Sequence, residues 1–237
     1  MGIGPGGPLN RTRRAEEVIS QSQVVVGYKP YLKSIEDLTE GKQLIPSNMT
    51  QEVERCRTAL LRAKEGDIVA LISSGDPGVY GMAGLAIEMA SAEGVAVPIE
   101  IIPGISSANA AGARLGAPLM LDYATISLSD LLIPWETIRN RLEAVASADL
   151  VVAIYNPQSK RRAKQLREAA AIFRKYRPGT TPVGIATALD TEGERIVLSD
   201  LDHFLEFEIN MRSIVLIGNR SSKCVDGWFV TPRGYKL

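Results

Sequence analysis

The sequence predicts an α/β fold with largely parallel sheets, and two observations lead to that prediction. Short apolar runs alternate with segments long enough for helices along all 237 residues. Several runs, such as "QVVVG" and "LVVAIY", are rich in Val and Ile without polar alternation, which is typical of parallel strands buried on both faces. Strands that alternate with helices form βαβ units, so the pattern favours an α/β protein.

The individual elements follow in chain order. The strand candidates are Gln23–Gly27, Asp67–Ser73, Pro98–Pro103, Ala124–Ser129, Leu150–Tyr155, Pro182–Thr187 and Ser213–Gly218. The periodic helical stretches between them are Thr50–Glu65, Val79–Ala92, Pro134–Ala146 and Lys160–Tyr176. We expect Thr50 to cap the first of these helices. Pro134 suits a helix start because its missing N–H is not needed in the first turn.

One stretch interrupts this alternation. Ala113–Ala124 contains Gly116 and Pro118 and has no clear period. A chain of 237 residues is long enough for two small domains, each with a core of its own. We therefore expect a domain boundary near residue 120, with domains over residues 1–119 and 120–237.

Composition excludes several classes of protein. The chain carries 27 Lys and Arg against 27 Asp and Glu, so it lacks the basic excess of a nucleic-acid binder. We find no apolar run long enough for a membrane span and no signal peptide. Cys56 and Cys224 are far apart, which is typical of reduced thiols in a cytoplasmic protein. Because His203 is the one histidine, we expect no multi-histidine metal site and no metal.

The opening loop, "MGIGPGGP", matches the spacing G-x-G-x-x-G at Gly2, Gly4 and Gly7. A dinucleotide site also needs backbone N–H groups and an acidic residue after the next strand. Pro5 lies inside the motif and has no N–H, and the next strand is followed by Tyr28 and Lys29. A classical NAD site is therefore not predicted, and a tight turn is the simpler interpretation of this loop alone.

The second loop, "LISSGDPGVYG" (Leu71–Gly81), follows a buried strand. Ligands of open α/β sheets bind beyond the carboxyl ends of the strands. Gly75 would let a ligand approach the backbone closely. Asp76 has two interpretations, which stay open: it accepts hydrogen bonds from a ribose or an amino group, or it caps the following helix.

A third stretch, "IIPGISSANAAGARLG" (Ile101–Gly116), again leads from a strand candidate into a helix, here one of small residues. Ser106 and Ser107 lie at the helix start, where free N–H groups gather. Tight helix packing alone would also explain the small residues. Three such loops at one sheet edge nevertheless describe a ligand pocket made of backbone.

A fourth stretch, "AIYNPQSKRRAKQL", clusters Lys160, Arg161, Arg162 and Lys164 where a helix begins. The helix macrodipole disfavours cations at that end. A ligand with several negative charges would explain the cluster, and a solvated charged face is the alternative.

The ordered set of GPG, SSGDPGVYG, IPGISSANAAGA and YNPQSKRR resembles the tetrapyrrole methylase family, over nearly the whole chain. The stretches VVVGYKPY, DYATISLSDLLIPWE and IYNPQSKRR look like the branch that methylates carbon 17 of precorrin-3B, or of its cobalt-bearing counterpart, in cobalamin biosynthesis. The resemblance implies two α/β domains with S-adenosylmethionine in the cleft between them. It also implies ring contraction of the substrate, S-adenosylhomocysteine as a product, and a homodimer.

The resemblance further implies a set of site residues. The expected donor site consists of Pro5, Gly75, Asp76, Val79, Ser106, Ser107, Asn156, and a backbone position at Ala188 or Leu189. Lys160, Arg161 and Arg162 would bind the carboxylates of the tetrapyrrole through charge-assisted hydrogen bonds. The candidates for acid-base help are Asp122, Tyr123, Ser127, Ser129 and Asp130, and Leu121 stands where many relatives carry a histidine.

Two other functions stay open at this point. A sister methylase would act on another corrin carbon, on a uroporphyrinogen, or on a protein or RNA acceptor. A non-catalytic nucleotide-binding or regulatory module is the other alternative. It would have to explain why the loops match those of a methyl-donor site in the same order along the chain.

Overall fold

A computed structural model describes residues 1–159 and 162–236. The chain divides into two compact units, Met1–Ser107 and Ala108–Leu237. The helices are α1 (Arg13–Gln21), α2 (Lys29–Lys33), α3 (Glu52–Lys64), α4 (Ala83–Ala92), α5 (Ser107–Leu115), α6 (Trp135–Ser147) and α7 (Lys164–Arg174). The strands are β1 (Val24–Tyr28), β2 (Gln43–Ser47), β3 (Val69–Leu71), β4 (Gly116–Ala117), β5 (Tyr123–Ser127), β6 (Val151–Tyr155), β7 (Pro182–Thr187), β8 (Arg195–Asp200), β9 (Ser213–Ile217), β10 (Lys223–Val225) and β11 (Trp228–Val230).

The first unit is built on a three-stranded sheet of order β2-β1-β3, in which both pairings are parallel. The central strand β1 is buried on both faces. Val25 packs on one side with Ile19, while Val24 and Val26 pack on the other with Ala59 of α3. Each such side chain contributes about 1.5–3 kcal/mol to stability by leaving water. The prediction of parallel strands is confirmed in this unit.

Two local predictions for the first unit are wrong. Thr50 does not cap α3, because its φ of 66° turns the chain there and Gln51 occupies the cap position. Pro98–Pro103 belongs to none of the strands of the described chain. The segment is apolar, and it contacts the opening loop through the hydrogen bond from Gly2 N to Ile102 O, at 2.9 Å.

The second unit is built on a five-stranded sheet of order β5-β6-β9-β7-β8. Only β5 and β6 are parallel, and the other three pairings are antiparallel. The prediction of a largely parallel sheet is therefore wrong here. The reason is that no α-helix connects β7 to β8 or β8 to β9, and parallel neighbours need a long crossover, usually a helix.

Helices cover both faces of this sheet. Leu142 of α6 and Phe173 of α7 pack with Ile154 and Ile185 in the largest core cluster. Gly184 points to the opposite face, since neighbouring side chains of a strand alternate. A Cβ on Gly184 would overlap the side chain of Leu115, so α5 packs directly on the backbone of β7.

This packing assigns α5 to the second unit. The contacts divide the chain between Ser107 and Ala108, whereas the sequence suggested a division near residue 120. Besides the contact of Leu115 with Gly184, Arg114 of α5 pairs with Glu194 at 3.0 Å. The irregular stretch that suggested the boundary contains β4, which pairs with β11 in a small sheet of order β10-β11-β4. Among the described residues, no helix is both long and apolar enough to cross a bilayer.

Candidate active site

The opening loop and the second loop are joined along their backbones. Ile3 N donates to Ser73 O at 2.9 Å, and Ser73 N donates to Met1 O at 2.9 Å. Gly4 and Gly75 then exchange two bonds, of 3.2 and 2.9 Å. These bonds place the opening loop at the carboxyl end of β3, where α/β sheets bind ligands.

Glycines allow a third loop, residues 102–106, to join this arrangement. A Cβ on Gly2 would lie 2.5 Å from Gly75 O and 2.8 Å from the Cα of Gly104. A Cβ on Gly104 would in turn overlap Gly75 O. The three loops therefore contact one another through bare backbone, as the sequence suggested for a pocket of this kind.

Asp76 ties the second loop to the third. Its Oδ1 accepts a hydrogen bond from Gly78 N at 2.8 Å, and its Oδ2 accepts one from Gly104 N at 3.0 Å. It does not cap α4, which begins only at Ala83. Each carboxylate oxygen can accept a further hydrogen bond, so both oxygens can still contact a ligand.

The other expected donor-site residues of the first unit lie in the same loops. Gly75 has a φ of 65°, and a Cβ there would lie 3.7 Å from Ser107 Oγ. Ser106 and Ser107 are half-buried, and α5 begins at Ser107. Pro5 is buried, and its carbonyl accepts a bond from Asn10 Nδ2 at 3.1 Å. The half-buried Val79 donates its N–H to Asp76 O at 3.3 Å.

In the second unit, Asn156 follows β6 in a left-handed conformation, with a φ of 48°. Asparagine tolerates this region better than most residues. Its Nδ2 donates to Ser127 Oγ at 3.0 Å, and its carbonyl accepts a bond from a terminal nitrogen of Arg162 at 2.6 Å. The Asn156 side chain and backbone are thus fixed by two different partners.

Arg162 has a different environment from the one expected for a substrate-binding cation. It is only 8% exposed, and the guanidinium lies 3.7 Å from Met211 Sδ. Burial lowers the pKa of Arg162. Its Nε has no hydrogen-bond partner in the part of the chain that the structure describes. Lys160 and Arg161, the other two expected substrate-binding residues, lie outside the described residues.

Ala188 and Leu189 are both buried and follow the carboxyl end of β7. Ala188 has a φ of 53°, its N–H donates to Arg212 O at 3.0 Å, and its carbonyl accepts a bond from Thr191 Oγ1 at 2.7 Å. Both peptide groups of Ala188 are thus engaged by the protein. The expected ligand contact at Ala188 or Leu189 stays a prediction.

The sequence interpretation missed Tyr155. Its hydroxyl accepts a hydrogen bond from Ala108 N, in the first turn of α5, at 3.0 Å. This bond satisfies one of the N–H groups that a helix start leaves without an internal partner. The signal was present, since Tyr155 directly precedes Asn156 in the "IYNP" stretch, but no spacing rule connects it with α5.

The acid-base candidates do not lie together. Tyr123 begins β5 opposite Val151, whereas Ser127 ends it opposite Tyr155. At about 3.3 Å per residue, the two ends of β5 are roughly 13 Å apart. Asp122 lies at the Tyr123 end. Ser129 lies at the other end, where its N–H donates to Ser127 Oγ at 3.2 Å.

The next candidate along the chain is committed to a structural contact. The Asp130 carboxylate accepts a hydrogen bond from Gln165 Nε2 at 2.8 Å. No group of three or more His, Cys, Asp or Glu side chains within residues 1–159 and 162–236 is arranged to hold a metal ion.

Comparison with known proteins identifies the family. The model of the Tetrapyrrole (Corrin/Porphyrin) Methylases matches residues 1–204. The chain is 46% identical to the cobalt-factor III methyltransferase of Priestia megaterium over 100% of its own length, which is 44% of that protein. It is 42% identical to a probable cobalt-factor III C(17)-methyltransferase of Salmonella typhimurium, with 100% of this chain and 98% of the relative covered.

Two further comparisons agree. The precorrin-3B C(17)-methyltransferase of a Sinorhizobium species is 38% identical over 99% of this chain and 95% of the relative. The crystal structure of the methyltransferase CobJ superimposes with a TM-score of 0.92 at 37% identity, and 98% of this chain and 97% of that chain are covered. The resemblance noted from the sequence motifs is confirmed: the chain belongs to the tetrapyrrole methylase family.

Proposed function

We propose that this chain is an S-adenosylmethionine-dependent methyltransferase that acts on carbon 17 of precorrin-3B or of its cobalt-bearing counterpart. The reaction includes contraction of the macrocycle and belongs to cobalamin biosynthesis. The observation that carries the proposal is the meeting of three backbone loops at the carboxyl end of β3, held by Asp76. The full-length relatives named C(17)-methyltransferases support the choice of carbon.

The loops of the first unit fit the proposed donor. S-adenosylmethionine carries hydroxyl, amino and carboxylate groups, and when bound it supplies a sulfonium methyl group for in-line displacement. Gly75 lacks a side chain where a Cβ would approach Ser107 Oγ and Ile105 O within 4 Å, so the donor can reach backbone and hydroxyl groups there. The Asp76 carboxylate accepts hydrogen bonds from donor hydroxyl or amino groups, while Pro5 and Val79 provide apolar contacts.

The second unit contributes positions at the ends of β6 and β7. Asn156 offers the remaining donor capacity of its side-chain amide, and Leu189 offers its peptide groups. Ala188 shapes the turn that presents Leu189. These residues orient the donor, and orientation of the reacting groups is the main requirement of a methyl transfer between two bound molecules.

On the acceptor side, Lys160 and Arg161 bind the carboxylates of the tetrapyrrole. Arg162 supports them indirectly, because it is buried against the Asn156 carbonyl. Of the candidates for acid-base help, Ser129 is favoured over Asp122 and Tyr123, because it lies at the same end of β5 as the Asn156 contact.

The proposal also covers the metal state of the substrate and the assembly of the protein. Relatives named for cobalt-factor III are 40–46% identical to this chain, and the relative named for precorrin-3B is 38% identical. This difference favours the cobalt-bearing acceptor. We further propose a cytoplasmic homodimer, and the exposed free thiol of Cys224 suits a reducing compartment.

The test is incubation of the protein with donor labelled at its methyl carbon and with each acceptor in turn. The acceptors are precorrin-3B, its cobalt-bearing counterpart and uroporphyrinogen III. Mass spectrometry reports the gain of one methyl group, and carbon NMR identifies the labelled position. Methylation at another carbon, or of uroporphyrinogen III alone, would replace this proposal with the alternative of a sister methylase.

A further inference from the structure

The first unit contains a buried cation without an acidic partner. Arg55, the fourth residue of α3, is only 5% exposed. Arginine is almost never buried to this degree unless its charge is paired. Within residues 1–159 and 162–236, however, Arg55 forms no ion pair, and the groups that its guanidinium contacts are all uncharged. Its place near the positive end of the helix macrodipole adds to the cost of this charge.

The contacts of the Arg55 guanidinium fix it in place and leave part of its donor capacity. Nε donates to Ser47 Oγ, one terminal nitrogen donates to Asn48 O at 2.9 Å, and the other lies 3.7 Å from Met82 Sδ. A guanidinium has five N–H groups, so one N–H remains on each terminal nitrogen. Two N–H groups of a guanidinium can bind one carboxylate through parallel hydrogen bonds. Arg55 can therefore bind an anion without losing its present contacts.

The acidic residues in the first turn of α3 do not pair with Arg55. Glu52 lies one turn ahead and acts electrostatically on the neighbouring Tyr31, but it forms no ion pair with Arg55. Glu54 pairs instead with Arg57, at 3.3 Å. The part of the chain that the structure describes thus supplies no carboxylate for this guanidinium.

Arg55 lies at the edge of the sheet where the donor loops meet. The strands β1, β2 and β3 are parallel, and Ser47, which ends β2, is paired with Tyr28, which ends β1. The carboxyl ends of the three strands therefore share one edge, where α/β sheets bind ligands. The end of β2 is roughly 10 Å from β3, two strand spacings away. Met82 bridges this distance, because its N–H donates to Ser73 Oγ at 3.3 Å and its sulfur contacts Arg55.

Two tyrosines and a lysine surround the guanidinium. Cζ of Arg55 lies 6.0 Å from the centroid of the Tyr28 ring, and the Tyr31 ring packs edge-on against Tyr28 at 5.2 Å. Both tyrosines are half-buried, and Lys29, directly after β1, is exposed. A cation beside two aromatic rings suits an acid whose carboxylate is attached to a large conjugated body.

We propose that Arg55 forms a carboxylate-binding subsite, and that its ligand is one carboxylate side chain of the tetrapyrrole acceptor. This inference rests on the proposed function. The remaining N–H groups of the two terminal nitrogens bind the carboxylate, while Tyr28 and Tyr31 contact the conjugated part of the ligand. Lys29 adds positive charge at the same edge. The methyl donor also carries a carboxylate, but the aromatic pair and the distance between β2 and β3 favour the larger acceptor.

The test measures binding rather than turnover. The cobalt-bearing counterpart of precorrin-3B is titrated into protein saturated with S-adenosylhomocysteine, which has no methyl group to transfer, and absorbance gives its Kd. Calorimetry gives the Kd of S-adenosylhomocysteine separately. We expect Arg55→Gln to raise the acceptor Kd at least about tenfold, because a hydrogen-bonded charge is lost. Arg55→Lys keeps the charge without the two-pronged geometry and should raise it about threefold. The Kd of S-adenosylhomocysteine should change less than about twofold in both variants.

Arg57→Gln is the matched control, because it removes an arginine from the same helix whose side chain is 40% exposed and pairs with Glu93 at 3.0 Å. It should leave both Kd values unchanged. The salt dependence of binding separates a direct contact from a structural role. The acceptor Kd of the unmodified protein should rise more steeply with salt than that of Arg55→Gln, because one ion pair fewer is then screened.

Equal acceptor Kd values for the unmodified protein and both Arg55 variants would overturn the subsite and leave the proposed function intact. An equal rise in the Kd of S-adenosylhomocysteine would also overturn it, because Arg55 would then bind the donor or only support the loops. If Arg55→Gln does not fold, Arg55→Lys decides by the same criteria. Unmodified protein that binds S-adenosylhomocysteine but no tetrapyrrole would instead refute the proposed function, and the subsite with it.

Discussion

At the scale of the residue, Asp76 orders two loops with one carboxylate. The sequence alone suggested a ligand loop or a helix cap here, because Gly75 and Pro77 follow a buried strand, and the ligand contact stays a prediction. The partner of Asp76, Gly104, could not be predicted, because it lies 28 positions further along the chain and no local spacing encodes that contact. The structure thus gives Asp76 a positioning role in addition to any direct contact with the donor.

Substitution of Asp76 tests both roles. Asp76→Ala removes the bonds to Gly78 N and Gly104 N, and Asp76→Asn replaces one acceptor oxygen with a donor. Because hydrogen bonds to charged groups contribute about 1.5–3 kcal/mol, we expect S-adenosylhomocysteine affinity to fall roughly 10- to 100-fold in either variant. Calorimetry measures this change, with the exposed Glu88→Gln as the control. Unchanged Kd values would contradict the assignment.

Arg162 allows a second test, because we expect it to act on the methyl donor indirectly, through its hydrogen bond to the Asn156 carbonyl. Arg162→Ala frees the Asn156 carbonyl, so the bond to Ser127 Oγ alone then holds this left-handed residue. We expect the KM for the methyl donor to rise about tenfold while the KM for the tetrapyrrole changes little, because one lost bond to a charged group costs about 1.5 kcal/mol. Arg162→Lys keeps one donor and should restore part of the affinity.

Arg161→Glu is the matched comparison for Arg162. It should raise the KM for the tetrapyrrole and leave the KM for the methyl donor nearly unchanged. An increase of the tetrapyrrole KM in Arg162→Ala as well would instead assign Arg162 to the substrate-binding group.

The Met1 ammonium makes stability depend on pH. Its pKa is 8.0 in an unfolded chain and about 6 in the folded protein, because burial outweighs the attraction of Asp76. The unfolded state binds more protons between these values, so the free energy of unfolding rises with pH across this window. The difference of about two pKa units corresponds to a gain of about 2.7 kcal/mol in the free energy of unfolding across this window.

Urea denaturation at pH 5.5 and 8.5 measures this dependence, on protein whose intact Met1 has been verified by mass. N-terminally acetylated protein is the control, because it lacks the ammonium but keeps every other titrating group. One such group is His203, whose pKa is raised by its hydrogen bond to Asp200 and whose contribution is lost as the pH rises. Identical pH profiles for the two forms would refute the assignment.

At the scale of the element, the apolar runs predicted the central strands. β1, β6, β7 and β9 are buried along most or all of their length, and each coincides with a Val- and Ile-rich run. The half-exposed strands β2 and β8 were missed, because partial exposure weakens the pattern. Strand direction was wrong in the second unit, since burial on both faces produces the same composition in parallel and antiparallel strands.

The contact between α5 and β7 is testable because it depends on one glycine. Gly184→Ala places a Cβ into the Leu115 side chain, and overpacking of this kind costs about 1–3 kcal/mol. Leu115→Ala creates room for it, so the double variant should be more stable than the sum of the two single changes predicts. Urea denaturation gives the three free energies.

Gly84→Ala is the matched control, because nothing lies within 4 Å of a Cβ at that position in α4. It should be neutral or stabilise the protein by up to about 1 kcal/mol. Strictly additive effects of Gly184→Ala and Leu115→Ala would mean that α5 does not pack on β7 as described.

At the scale of the whole molecule, the expected donor-site residues divide between two units with different sheets. Pro5, Gly75 and Asp76 follow the parallel sheet of the first unit, and Asn156 and Leu189 follow the mixed sheet of the second. The sequence could predict these loops because Gly, Pro and Asn mark the ends of strands. It could not predict Tyr155 or the buried role of Arg162, which depend on contacts across the second unit.

Binding of the donor product should stabilise the whole molecule. We expect S-adenosylhomocysteine at about 100 times its Kd to add about 2.7 kcal/mol to the free energy of unfolding. For a chain of this size, that corresponds to a rise in Tm of roughly 5–10 °C. A thermal-shift measurement with NAD and ATP as controls checks the expectation. A larger shift with NAD or ATP would favour the nucleotide-binding module instead.

The small sheet at the end of the chain affects how the protein is made. Asp226 and Gly227, with φ values of 49° and 82°, turn the chain between β10 and β11. β11 then pairs Phe229 with Gly116, directly after α5. This pairing closes a loop of roughly a hundred residues, which a ribosome takes about 6–20 s to synthesise. The backbone of Gly116 and Ala117, directly after α5, therefore lacks its strand partner throughout that interval, until β11 has been made.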